Sequence, residues 1–415
     1  MRILHVNKFF DLHGGAEVYL HALIEHQLAA GHDVHAFSTR AASNLPSADN
    51  KTFVKRFDYT RSEGLARDVR KGAAYVWNRE AREAMRSAIR ELRPEVIHLH
   101  NVYHHLSTSI LGPIRRARIP CVQTLHDYKL ACPNYKMFTE GSVCERCKGG
   151  KYFEAIRHKC LTTNLAGNVL AALEMGFTKA MQAYERTIHT FICPSQFLAD
   201  KMIAWGEPAS KFMVVPNPVE LPSRRSRQEH KTLVTILAAG RLSIEKGFDV
   251  LIRAAAQVPR VQIKIVGTGP EEDKLRRLAE TLPSAQIEFL GYVPRAVETL
   301  SFQVSALAIP SVWYENAPLV VLEAMAAGLP ILASRIGGLP ELVEHGVNGW
   351  LIEAQKVEAW VQALEAFSQL PEHSRQELGE NGRRRVLEKF TWDQHLQVLE
   401  RIYNTAINPC CGDKG

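Results

Sequence analysis

Glu315 and Glu323 are separated by seven residues in the segment Ser311-Val-Trp-Tyr-Glu-Asn-Ala-Pro-Leu-Val-Val-Leu-Glu-Ala-Met-Ala-Ala-Gly328. The composition from Leu319 to Ala327 is helical, and Gly328 is a good residue to end a helix. Glu315 then lies near the helix N-terminus, where negative charge is favoured in any case. Glu323 lies inside an apolar helix. Burying an unpaired charge is costly, so it either reaches an edge or is kept for a ligand. A structural role is easy for Glu315 and hard for Glu323. A second set is cationic: Arg241 and Lys246 in Ala238-Ala-Gly-Arg-Leu-Ser-Ile-Glu-Lys-Gly247, between Gly240 and Gly247. A planar guanidinium and a mobile ammonium suit a diphosphate; the alternative is a pair of solvated surface cations. A third set is Phe10-Asp-Leu-His-Gly-Gly-Ala-Glu17. Gly14 and Gly15 let the backbone approach a ligand, and a helix starting behind them offers free N–H groups to an anion. A plain strand-to-helix turn would use the same glycines.

Cysteine supplies a different chemistry. Of the eight cysteines, Cys132, Cys144, Cys147 and Cys160 fall within about thirty residues around a Cys-Glu-Arg-Cys core. That spacing suits a tetrahedral structural zinc or a [4Fe–4S] cluster, and a chance grouping of reduced thiols is the third reading. Lys136, Gly141, Gly149, Gly150 and Lys151 mark the intervening chain as loop, and a loop of this length needs something to order it. His98, His100, His104 and His105 cluster near a strand end, with His98 and His100 on one face. Some of them are expected to line a pocket, with metal binding the less favoured reading.

These residues need elements to position them. Arg2–Val6, 33–36, Val96–Leu99, 120–125 and 191–193 read as buried strands, with helical periodicity between them at 16–30 and 76–92. That alternation predicts a parallel sheet with crossover helices. A Pro-, Ser- and Arg-rich stretch, 214–229, reads as a linker. A second alternation follows at 233–238, 262–266, 286–290, Ala306–Ile309 and 330–333, and an amphipathic stretch closes the chain at Trp392–Ile407. The fold class is therefore α/β, with two doubly wound, Rossmann-like parallel-sheet domains. Ligands bind beyond the carboxyl ends of such strands, so a cleft between the domains is the expected site.

A length of 415 residues suits two domains, and 46% hydrophobic with 23% charged residues is a soluble balance. The net charge of +7 is too weak and dispersed to argue nucleic acid; an anionic substrate or membrane surface fits as well. No apolar stretch approaches the ~20 residues that span a bilayer. The first residues read as a strand, without the apolar core and cleavage site of a signal peptide, so a cytoplasmic protein is expected. Its cysteines would be kept reduced there. Cys121 and Cys193 read as core, and Cys410-Cys411 does not end in a prenylation signal.

The Glu-x7-Glu pair, with Asn316-Ala-Pro318 inside it and Gly328-Leu-Pro330 after it, strongly resembles the retaining GT-B glycosyltransferases of family GT4. Gly14-Gly-Ala-Glu17, the Gly240-to-Gly247 loop and Gly267-Thr-Gly-Pro270 are similar to that family's other markers, in the family's order. The resemblance covers nearly the whole chain; the four-cysteine insertion lies outside it. It implies a nucleotide diphosphate sugar as donor, held without a divalent ion because Arg241 and Lys246 neutralise the diphosphate and stabilise the leaving group. It implies that Glu323 binds the ribose hydroxyls and Glu315 the transferred sugar. Backbone at Asn316, Ala317, Pro318 and Leu319, together with Gly240 and Gly267, would help hold the donor, and the Gly15 amide would touch its diphosphate. His126, in Thr124-Leu-His-Asp127, resembles the family's active-site histidine; a satisfied loop histidine is the alternative.

On this resemblance residues 1–219 form the acceptor-side domain with the cysteine loop at 131–161, 220–389 the donor domain, and 390–415 a helix packing back on the first. The acceptor would be a glycan or a polyprenyl- or lipid-linked sugar, in envelope polysaccharide or glycolipid assembly. Phe9, Phe10, Trp77 and Tyr103 would suit a peripheral contact on the inner face of the membrane, though such residues are usually core or ordinary surface. Rival readings are a nucleotide-sugar epimerase on the same fold and a metal-sensing protein on a disused transferase fold. A pyridine-nucleotide oxidoreductase is disfavoured, because no Gly-x-Gly-x-x-Gly follows the opening strand.

Overall fold

The computed structural model describes residues 1–12, 14–59, 61–222 and 233–408. The end of the linker expected at 214–229 and the Cys410-Cys411 pair lie outside the described residues. The chain divides into two compact units. The first takes in Met1–Met137, Glu145–Val215 and the chain from Leu396; the second takes in Phe138–Cys144 and Pro216–His395.

The first unit is built on a six-stranded sheet of β1 (Arg2–Val6), β2 (Asp33–Phe37), β3 (Val96–Leu99), β4 (Cys121–Thr124), β5 (Thr190–Cys193) and β6 (Phe212–Val214). Its order is β6-β5-β4-β3-β1-β2, and every pairing is parallel. Strands covered on both faces are predominantly apolar, and β3 is buried at every position, His98 included. The strand order reverses between β1 and β3, so the chain leaving these two strands diverges and opens a crevice at their carboxyl ends.

The second unit holds β7 (Val234–Ala239), β8 (Val261–Val266), β9 (Gln286–Gly291), β10 (Ala306–Ile309), β11 (Ile331–Ser334) and β12 (Gly349–Ile352). The order β9-β8-β7-β10-β11-β12 is again all parallel, and it reverses between β7 and β10. Both units are thus Rossmann-like α/β layers, as the alternating pattern predicts.

Two differences from the sequence reading have simple causes. The helix expected over 76–92 starts only at Arg79 and runs to Leu92, and a separate helix, Leu65–Val76, precedes it. Asn78 breaks the run because its side chain accepts from the Ala81 amide at 3.0 Å and caps the second helix. Strands β6 and β12 are unanticipated edge strands. The closing helix runs Trp392–Ile407, and it buries Leu399, Ile402 and Tyr403 completely or nearly so.

Candidate functional site

In the second unit, the loops after β7 and β10 carry the polar side chains. A loop of Gly240 to Ser243 leads from β7 into a short turn of helix, Ile244–Lys246, and then into the helix Phe248–Ala255. The loop after β8 presses against it: Gly267 has φ 132°, and a Cβ there would lie 1.9 Å from the Gly240 carbonyl oxygen. Only glycine permits that approach.

Lys246 and Glu315 meet across the β7/β10 fork. The Lys246 ammonium donates to Glu315 Oε1 at 2.7 Å, and the Ser311 hydroxyl donates to the same oxygen at 2.6 Å. The Trp313 ring lies 5.1 Å from the ammonium. Glu315 is nearly inaccessible, whereas the Lys246 side chain keeps a quarter of its surface exposed. Behind the carboxylate, Gly338 N–H donates to the Glu315 carbonyl at 2.7 Å. Gly337 makes room for that contact with φ 61°; a Cβ would come within 2.3 Å of the same oxygen.

The helix expected after Pro318 spans Leu319–Ala326, with Pro318 at its N-cap and no side-chain cap, so its first-turn amides are placed to meet a ligand. The Asn217 side-chain amide donates to the Ala317 carbonyl at 3.0 Å and holds the chain leading into it. Glu323 lies on this helix, half-buried, and its side chain makes no hydrogen bond or ion pair to a described residue. Burial, with Glu298 nearby, pushes its carboxyl above the ordinary range. Arg241 is exposed.

In the first unit, Gly14 and Gly15 are exposed at the start of the helix Gly15–Ala29, which has no side-chain cap. His13 lies outside the described residues. The two loops at the β1/β3 fork are latched together: Asn7 Oδ1 accepts from the Asn101 amide at 2.9 Å, and the Asn7 amide group donates to Glu17 at 3.0 Å. His126, just beyond β4, lies beside Tyr19 and lines a small pocket with Asn101, Tyr103, Asp127, Lys129 and Leu130. Burial lowers the His126 imidazole to about 4, so it is neutral near pH 7. Tyr103 donates to Asp127, whose carboxyl is pushed up by burial.

Lys8, which the sequence reading passed over, stands 3.5 Å from the Tyr103 ring centre. Burial lowers its ammonium to about 8, opposed by Asp127 and Glu17. Its signal was available: it is among the first polar residues after the buried opening strand, at the carboxyl end of the sheet. His98 and His100 do not line this pocket. They are fully buried beneath it, with His5.

The cysteines are less informative than their spacing. Cys132 and Cys147 are buried, and the Cys132 thiol donates to Asn134 Oδ1 at 2.9 Å. Burial, aided by nearby Cys160, pushes that thiol up to about 11. Cys144 belongs to the second unit, just after the hairpin Phe138–Thr139/Ser142–Val143. Among the described residues, the group whose ligand atoms lie within 4.8 Å of one another is His5, His98 and His100, not a set of cysteines. The residues as placed therefore do not fit the expected zinc or iron–sulfur centre, because a metal needs its ligand atoms converging on one point.

Residues 221–385 match the family model described as glycosyl transferases group 1, and residues 13–222 match the one described as glycosyltransferase family 4. The chain is similar to an uncharacterised glycosyltransferase of Methanocaldococcus jannaschii, 25% identical over 403 residues and covering 95% of both chains. It is also similar to an Escherichia coli glycosyltransferase named for colanic acid biosynthesis, 30% identical over 220 residues and 50% of each chain. Among solved structures, Anabaena HepE in complex with UDP and glucose superposes with a TM-score of 0.67 at 19% identity, over 98% of this chain and 100% of the other.

Proposed function

The chain belongs to glycosyltransferase family 4, and on that premise we propose that it transfers a sugar from a nucleotide diphosphate sugar to a glycan or lipid-linked acceptor, with retention of the anomeric configuration. The carrying observation is the cluster at the β7/β10 fork, where the Lys246 ammonium and the Glu315 carboxylate share one buried corner with Ser311. Breaking a glycosyl–phosphate bond leaves charge on the departing diphosphate, and a preorganised cation lowers that barrier without a metal ion. Lys246 keeps an exposed flank for this, and exposed Arg241 supplies a second cation from the same loop. Glu323, half-buried with no described partner, is suited to accept hydrogen bonds from two ribose hydroxyls. Glu315 faces the transferred sugar, and the Leu319 amide contributes anion-binding backbone.

The Escherichia coli relative's name and the UDP and glucose bound by the Anabaena protein support a hexosyl donor and a place in envelope polysaccharide or glycolipid assembly. No described helix is long and apolar enough to cross a membrane, so a lipid-linked acceptor would be met by peripheral contact. Thermal shifts with a panel of nucleotide-sugars test the reading, because a ligand that binds the folded state raises its melting temperature. At least one uridine, guanosine or adenosine diphosphate sugar should stabilise the protein; stabilisation by none of them would sink the proposal.

A further inference from the structure

Beneath His126 runs a continuous chain of buried polar side chains. The His126 Nε2 lies 3.1 Å from His100 Nδ1, and His100 Nε2 lies 3.1 Å from His5 Nδ1. His5 Nε2 lies 2.7 Å from the Gln27 carbonyl oxygen. From Gln27 the chain continues: its amide nitrogen donates to the Tyr403 hydroxyl at 3.2 Å, which meets His98 Nδ1 at 2.7 Å, and His98 Nε2 reaches Thr124 at 2.8 Å. Each nitrogen of His5, His98 and His100 thus has a partner. No lone pair is left over for a metal, although these three rings are close enough to hold one.

The direction of the hydrogen bonds follows from one fixed point. A carbonyl oxygen only accepts, so His5 Nε2 carries a proton and donates to Gln27. Burial lowers the His5 imidazole to about 4 and holds His100 well below the ordinary value, with the neighbouring rings adding to the effect. The rings are therefore neutral, one proton each. His5 Nδ1 is then bare and accepts from His100 Nε2–H; His100 Nδ1 is bare and accepts from His126 Nε2–H. His126 in turn is left with a bare Nδ1, which has no partner among the described residues.

We propose that Gln27, acting through His5 and His100, is the positioning group that fixes the tautomer of His126, so that His126 meets its ligand as a hydrogen-bond acceptor at Nδ1. On the transferase reading, which the proposal rests on only for what the nitrogen meets, the partner is a sugar or acceptor hydroxyl. Gln27 also stops proton movement along the histidine chain, although the hydrogen bonds continue beyond it to Tyr403. Its amide cannot take up a proton from His5 at neutral pH, so a proton arriving at His126 is not passed into the interior. The three positions share no motif in the sequence; they are brought together by adjacent strands and the first helix.

The tautomer is read directly from ring nitrogen shifts in two-bond proton–nitrogen spectra of full-length protein labelled in histidine, with His126→Gln identifying the resonance. The spectra are taken without donor or acceptor, so the outcome does not depend on whether nucleotide-sugars bind. The wild type should show His126 protonated at Nε2 and bare at Nδ1; the opposite tautomer, or an even mixture, overturns the proposal. Gln27→Met removes the fixed acceptor and should turn the His126 signals into those of a tautomer mixture. Gln27→Glu keeps an acceptor for His5 and should restore the wild-type form. A Gln27→Met protein that retains the wild-type tautomer also refutes the assignment. If that variant does not fold, the wild-type spectrum alone still decides.

Discussion

The Lys246 ammonium and the Glu315 carboxylate, sixty-nine positions apart in the chain, form an ion pair of 2.7 Å at the point where the second sheet reverses its strand order. Their contact is tight because Ser311 completes the shell of the shared oxygen and the Gly337–Gly338 turn presses on the Glu315 backbone. A resting lysine held this way is oriented before any phosphate arrives. Lys246→Ala should slow transfer by about 100-fold or more, as expected for loss of one group stabilising a leaving oxyanion. A double-mutant cycle with Glu315→Ala should show a coupling of ~1–3 kcal/mol, measured as turnover in the four proteins. Additive losses would mean the pair does not act as a unit.

Glu323 is expected to oppose folding while serving the ligand. Its carboxyl is raised above the ordinary value by burial, so the native state holds its proton more readily than the unfolded chain does. The resulting cost sets in as pH rises past the ordinary carboxylate value and grows until the folded carboxyl has also ionised. Glu323→Gln should therefore melt slightly higher than the wild type at pH 7 and equally at low pH. It should bind nucleotide diphosphates about tenfold more weakly, the loss of a charged hydrogen bond. Unchanged affinity by calorimetry would remove Glu323 from the binding site.

The two glutamates illustrate what could be read without coordinates. Val96–Leu99 and Ala306–Ile309 are legible to the residue, because a strand buried on both faces spells a largely apolar run, broken here only by His98. Gly349–Ile352 and Phe212–Val214 are not, because edge strands need no such run. Lys246 and Glu315 are legible as members of local markers. His5 and Gln27 are not, because their partners His100 and Tyr403 lie 95 and 376 positions away, and nothing local betrays a polar group whose partner is that distant.

Acid should unfold the protein from the histidines. His5, His126 and His395 are each lowered by burial to about 4, from an ordinary value of 6.5. Their folded values lie below the unfolded one, so the unfolded chain takes up protons first. Stability is full above about pH 6.5 and falls as pH drops toward 4, by ~1.4 kcal/mol per pH unit for each proton taken up. Urea midpoints between pH 7 and pH 4.5 measure this. His126→Gln should flatten the slope, while a pH-independent midpoint over that range would contradict the neutral, buried imidazoles.

Gly337 is a structural control on the donor corner. Any side chain there meets the Glu315 backbone at 2.3 Å and inherits a left-handed φ of 61°. Gly337→Ala should cost about 1–3 kcal/mol of stability and weaken nucleotide binding with it, since the carboxylate moves with its backbone. Gly346 also has a left-handed φ, 82°, but nothing within 4 Å of a would-be Cβ, so Gly346→Ala should show a smaller stability loss without the binding effect.

The closing helix carries one further implication, for the order of events on the ribosome. Tyr403 donates the hydroxyl that joins Gln27 to His98, and both of those side chains are sealed within the first unit. The first unit is thus assembled from segments made before and after Pro216–His395, which is the bulk of the second unit. Its interior stays unfinished throughout elongation of the second unit, with the Gln27 amide and the His98 ring each short of a partner. Maturation of the His126 pocket is in this way timed to the synthesis of the closing helix rather than to its own segment.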